Sequence, residues 1–95
     1  MTERVAIRID RWLVHARFVR RRELVPGFLV ERRVRLNGQP VTKSHQPVRP
    51  GDVLTLILGR RLVLVRVMAL GDRRGPASEA RRLYEMLEGS DPLSG

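Results

Sequence analysis

The sequence predicts an α+β fold, with two N-terminal helices packed on a small antiparallel sheet and a short helix at the C-terminal end. Three observations predict it. Apolar residues recur at helical spacing over the first thirty positions. They then switch to alternate positions, punctuated by turn dipeptides at Asn37-Gly38 and Gly59-Arg60. Helical spacing returns near the end, at Ala80, Leu83, Tyr84 and Leu87.

In the first helix, residues 9–18, Ile9, Trp12, Leu13 and Ala16 follow i, i+3, i+4, i+7 spacing and form one apolar stripe. Trp12 lies on that stripe and is assigned to the core; Phe18 is open between core and stacking platform. Asp10 stands where a carboxylate caps amides and suits the helix dipole. The second helix, residues 22–31, turns Leu24 and Phe28 inward, with Val25 and Leu29 as further inward candidates, but contains Pro26-Gly27. An interior proline costs roughly 3 kcal/mol, so Pro26 must fall in or near the first turn.

Val34, Leu36 and Val41 flank Asn37-Gly38, a tight-turn signal between two strands. Pro50-Gly51-Asp52 turns into a strand at Val53–Ile57, and Gly59-Arg60-Arg61 turns into another at Leu62–Val67, with Met68–Leu70 as a possible continuation. Residues 77–87 read as the last helix, with Ser78 as its cap. After it, Gly89, Ser90, Pro92, Ser94 and Gly95 disfavour regular structure and predict a solvated acidic tail.

The 95 residues fit one domain with a limited core. There are no cysteines, which excludes disulfides and thiolate metal sites and suits a cytoplasmic location. The longest apolar runs are too short to span a bilayer, and no secretory signal is evident, so no membrane partner is expected. No metal-ligand spacing, nucleophile elbow or phosphate loop is present. Asp10 and Asp52 have simpler roles as cap and turn residues. A non-enzyme is expected, with no catalytic residues, no metal and no cofactor.

Charge is the informative quantity. Nineteen Lys+Arg against ten Asp+Glu give +9, the footprint of a protein that meets a polyanion. The charge is uneven: Arg4 to Arg35 holds ten arginines and three acids, whereas Leu83 to Gly95 holds three acids and no base. The densest run is Arg17-Phe18-Val19-Arg20-Arg21-Arg22, at the join of the two helices. With Arg8, Arg11, Arg33 and Lys43 it predicts a curved basic face able to follow a phosphate backbone. The amides opening the second helix would add anion-binding donors. A merely solvated face would interleave acids at i, i+4, and here they are scarce. Charge alone does not separate RNA from DNA, and no helix-turn-helix, zinc-finger or zipper pattern is visible.

Arg8-Ile9-Asp10-Arg11-Trp12-Leu13, Ala16-Arg17-Phe18, Arg22, Val34-Arg35-Leu36-Asn37-Gly38, Lys43 and Val48-Arg49-Pro50-Gly51-Asp52 together resemble the alpha-L RNA-binding motif, or S4 domain, over residues 8–57. Arg73 to Ala80 and Leu83-Tyr84-Glu85 are similar to the segment that follows this domain in the heat shock protein 15 family of bacterial ribosome-associated factors and their short quality-control relatives. The resemblance implies a lead-in at 1–7, an S4-like RNA-binding domain at 8–70 and a C-terminal extension at 71–95. Carried over by position, Arg8, Arg11, Arg17, Arg20, Arg22, Arg33 and Lys43 match the family's RNA-facing residues, and Arg21 joins them through the charge run. It also implies binding to ribosomal RNA, with tRNA as a further candidate, on the large ribosomal subunit, in rescue of subunits still holding peptidyl-tRNA. Separately, a monomer is expected.

The chain departs from the family pattern at Arg21, where a capping hydroxyl is common, and at Glu31-Arg32, where glycine is common. Arg32 is therefore expected at φ > 0, at about 1 kcal/mol. Two other functions fit the same residues: a module working beside an rRNA-modifying enzyme, and a general nucleic-acid-binding protein.

Overall fold

The apolar stripe of Ile9, Trp12, Leu13 and Ala16 is buried as the spacing predicts, but the helix that carries it is shorter. In the computed structural model, which describes residues 5–90, α1 spans Ile9–His15 after a two-residue strand β1 at Ile7–Arg8. It stops because Ala16 is followed by Arg17 at φ 66°. The Phe18 amide then donates to the Leu13 carbonyl at 3.0 Å and the Arg17 amide to Val14 at 3.0 Å. These are the 6→1 and 5→2 bonds of a Schellman motif, which satisfies carbonyls the helix end would otherwise orphan.

The proline problem is resolved by a change of helix type. Arg22–Leu24 form a 3-10 turn, and α2 begins only at Val25, ending at Val30. Leu24, expected inward, is instead 42% exposed because it lies in that turn ahead of the helix, and Val25 and Leu29 take the buried positions. Pro26 thereby falls in the first turn, where its missing N–H removes no intrahelical bond. The end of α2 repeats that of α1. Arg32 sits at φ 58°, as expected from its position, its amide donating to Leu29 at 3.0 Å and that of Arg33 to Phe28 at 2.9 Å.

Strands β2 (Val34–Leu36) and β3 (Gln39–Pro40) flank Asn37 at φ 49° and Gly38 at φ 85°, the doubly left-handed turn that a two-residue hairpin needs. β4 (Pro47–Val48) pairs antiparallel with β1, while β5 (Val53–Leu58) and β6 (Arg61–Val67) form a long hairpin. The Asn37 side chain accepts from the Val53 amide at 2.9 Å and donates to Asp52 at 3.1 Å. Asp52 in turn accepts from the Arg49 amide at 2.8 Å, so the Asn-Gly and Pro-Gly-Asp turns are stitched to one another.

The C-terminal expectation needs correcting. The α-helix α3 covers only Ala77–Ala80, continues as a 3-10 turn to Leu83, and gives way to strand β7 at Tyr84–Met86. Pro76, not Ser78, stands at its N-cap. β7 pairs with β6 and completes an antiparallel sheet in the order β3-β2-β5-β6-β7. Covering the β6 edge satisfies a row of backbone groups that helical spacing alone does not reveal. Met68–Leu70 leave the ladder, and their carbonyls turn to α1: Trp12 Nε1 donates to Ala69 at 2.9 Å and His15 Nδ1 to Leu70 at 3.1 Å. Gly71, at φ 73°, lies under Leu83, where an added Cβ would be 3.0 Å from Leu83 Cδ1.

Trp12 is fully buried with Ile9, Val25, Val34, Val48, Leu54, Val65 and Val67 in one core between helices and sheet. Phe18 is half-buried, its ring 6.0 Å from Trp12 and 4.7 Å from Tyr84, and so joins the core edge. Residues 1–4 of the lead-in and 91–95 of the acidic tail lie outside the described residues. Among the described residues no helix is long and apolar enough to cross a membrane, and no group of three or more His, Cys, Asp or Glu could hold a metal ion.

Candidate nucleic-acid interface

Asp10 is the organising residue of the basic face, not a cap. Among the described residues no side chain caps α1, and Asp10 is 3% exposed. Arg8 donates to it through Nε at 3.1 Å and Nη2 at 2.9 Å, and Arg22 Nε lies 3.7 Å from the same Oδ2. A buried carboxylate is tolerated because two guanidiniums compensate it. In return it holds two arginines from different elements side by side, each with its side chain about half-exposed. The N–H groups not spent on Asp10 belong to partly exposed guanidiniums, a group able to donate to phosphate oxygens.

Three depressions join here into one valley. Arg8 and Arg11 line the first with His45 and Pro47. Arg8 also lines the second, with Asp10, Arg22, Pro26, Ser44 and one exposed acid, Glu23. Pro26 and Ser44 lead into the third, between α2 and the segment after β3, where Arg32 stands. The valley exists because loop 42–46 is held against α1, with the Asp10 amide donating to Ser44 at 3.3 Å and the Ile9 amide to Gln46 at 2.7 Å.

The predicted basic residues divide. Arg8, Arg11 and Arg22 are brought together, and Lys43, exposed, sits between two residues that line the valley. Arg20 and Arg21 are exposed on the link between the helices; like Arg11 and Lys43, they have no ion pair among the described residues. Arg17 lies elsewhere: its Nη1 donates to the Gly75 carbonyl at 2.8 Å, and it lines a separate depression with Phe18 and Tyr84. Arg33 pairs with Glu31 at 2.8 Å and lies 5.9 Å over the Phe28 ring. The amide donors expected at the start of the second helix are mostly spent. Pro26 has no N–H, and the Leu24 and Val25 amides already bond to Arg21 and Arg22 carbonyls.

Two valley residues were not among the RNA-facing residues named from sequence. His45 carries no signal beyond its type. Arg32 was singled out for its backbone only, although a position that favours glycine but holds arginine also marks a helix end that aims a side chain.

A family model described as the S4 domain matches residues 7–54. The chain is 40% identical over 81 residues to heat shock protein 15 of Escherichia coli strain K12, covering 85% of this chain and 60% of that protein. It is 34% identical over 82 residues to the RQC P-site tRNA stabilizing factor of Bacillus subtilis strain 168, covering 86% of this chain and 93% of that protein. Among solved structures, the trimeric structure of Vibrio cholerae heat shock protein 15 superposes with a TM-score of 0.82 at 32% identity, over 90% of this chain and 85% of that one.

Proposed function

The chain belongs to the S4 domain family, and from that premise we propose that it is a cytoplasmic, non-catalytic RNA-binding protein of the large ribosomal subunit, acting in rescue of stalled subunits that still carry peptidyl-tRNA. The observation that carries the reading is the valley in which Arg8 and Arg22 share one buried carboxylate and present their free N–H groups together. Arg11 and Lys43 in the valley, and Arg20 and Arg21 on the link between the helices, are exposed and make no ion pair among the described residues. Self-repulsion in such a cluster is relieved by a polyanion. The ribosomal target draws support from relatives, one of which is named for stabilising P-site tRNA.

Co-sedimentation with separated ribosomal subunits tests this. Enrichment on large subunits bearing peptidyl-tRNA is the expected result, weakened in Arg8→Ala and Arg22→Ala with the circular dichroism unchanged. Absence from every ribosomal particle would overturn the ribosomal assignment. A log–log salt slope of about −4 to −6 is expected if about six phosphates are neutralised. Sedimentation velocity checks the proposed monomer, since the Vibrio relative is described as trimeric.

A further inference from the structure

We propose that the third depression of the valley is a pocket for one unstacked RNA base; the proposal rests on the RNA-binding reading above and names what part of the RNA enters the fold. The depression has a volume of about 600 Å³. Its floor is the buried Leu29 and Val41, and Val30, 83% exposed, forms a wall with Pro40. Leu29, Val30, Pro40 and Val41 together make a contiguous apolar lining that a ligand can cover.

Three features fit a base better than an apolar peptide. Among the described residues no carboxylate lines the depression, and the charged residue that does is Arg32. Thr42 and Ser44 line it, and their hydroxyls have no hydrogen-bond partner among the described residues. A hydroxyl both donates and accepts, so it can meet the edge of a base. The depression also shares Pro26 and Ser44 with the cationic stretch at Arg8 and Arg22, so a backbone held there can deliver a nucleotide into it. Arg32 is held left-handed at φ 58° with its guanidinium free of any ion pair or hydrogen bond among the described residues. A guanidinium plane stacks on exposed bases. A perfect duplex keeps its bases stacked, so the ligand is a bulged or looped nucleotide.

The test compares two RNA hairpins of the same stem, one fully paired and one with a single bulged 2-aminopurine, binding to the full chain. The bulged hairpin is expected to bind about tenfold more tightly, with fluorescence rising, because the base leaves its stacked neighbours for a site without aromatic rings. Val30→Ser and Thr42→Val, both at exposed positions, are expected to reduce that preference to threefold or less while leaving the paired hairpin's affinity unchanged. Arg22→Ala is expected to weaken both hairpins and keep the ratio. Equal binding of the two hairpins with unchanged fluorescence would overturn the base pocket and leave the RNA-binding reading intact. Failure to bind either hairpin would overturn both. Loss of ribosomal co-sedimentation in Val30→Ser, without any bulge preference in the parent chain, would assign the depression to a protein partner instead.

Discussion

Arg17 and Arg32 occupy the same backbone position at the ends of two successive helices, each left-handed where glycine is the usual residue, at φ 66° and 58°. Their surroundings differ. The Arg17 guanidinium bonds to Gly75 and ties the helix end to the C-terminal segment, and the next residue, Phe18, packs between Trp12 and Tyr84. Arg32 makes no such bond among the described residues; the residue after it, Arg33, lies over Phe28 instead of entering the core. A non-glycine residue in this conformation costs on the order of 1 kcal/mol. At Arg17 a hydrogen bond within the fold offsets the strain. At Arg32 the side chain is left facing the valley, so identical local geometry serves the fold at one helix end and, in our proposal, a ligand at the other.

The largest test of this contrast is Phe18→Ala, expected to destabilise the chain by about 2–3 kcal/mol, less than a fully buried phenylalanine because Phe18 is half-exposed. Urea unfolding would measure it beside Phe28→Ala, and an equal or greater loss for Phe28→Ala would erase the distinction between the two ends. Arg32→Ala is expected to weaken RNA binding about threefold to tenfold and reduce the salt slope by about 1, whereas Arg17→Ala, if folded, leaves both unchanged. The contrast sharpens with glycine. Arg32→Gly relieves strain and loses no bond among the described residues, so the melting temperature should rise by about 4 °C for each kcal/mol gained, even as RNA affinity falls. Arg17→Gly relieves the same strain but loses the Gly75 bond, and should stay within about 0.5 kcal/mol of the parent. Smallest is Arg33→Ala, which removes an ion pair and a cation–π contact at a partly exposed site and should cost about 0.5 kcal/mol in the same unfolding assay.

Much of the architecture is legible in the residues. Alternation at Val34–Leu36, Val53–Ile57 and Leu62–Val67 reports strands with one buried face, and Asn37-Gly38 specifies its turn because few other dipeptides accept two left-handed residues. Trp12 was legible as core because a stripe at 3.6 spacing has to face something. The last segment was not: Ala80, Leu83, Tyr84 and Leu87 keep helical spacing, yet Tyr84–Met86 pair with β6. A short segment's spacing is a weak preference, and an unpaired sheet edge outweighs it. The site divides in the same way. Its cations could be named from charge density, but Asp10 was read as a cap because only the folded chain brings Arg22 to the carboxylate that Arg8 already holds.

By itself, the sequence determined the charge, the two apolar periodicities, the turns and the absence of cysteine, since these are properties of residue type and neighbouring spacing. Only the tertiary structure decided which arginines face one valley, which are tied into the fold and what lies beside them. Those outcomes depend on loop 42–46 crossing α1, on the carbonyls of residues 69–75 reaching its far side, and on backbone reversals at Arg17 and Arg32. Each is a contact between positions far apart in the chain, or a dihedral that residue type disfavours, and neither is encoded in local spacing.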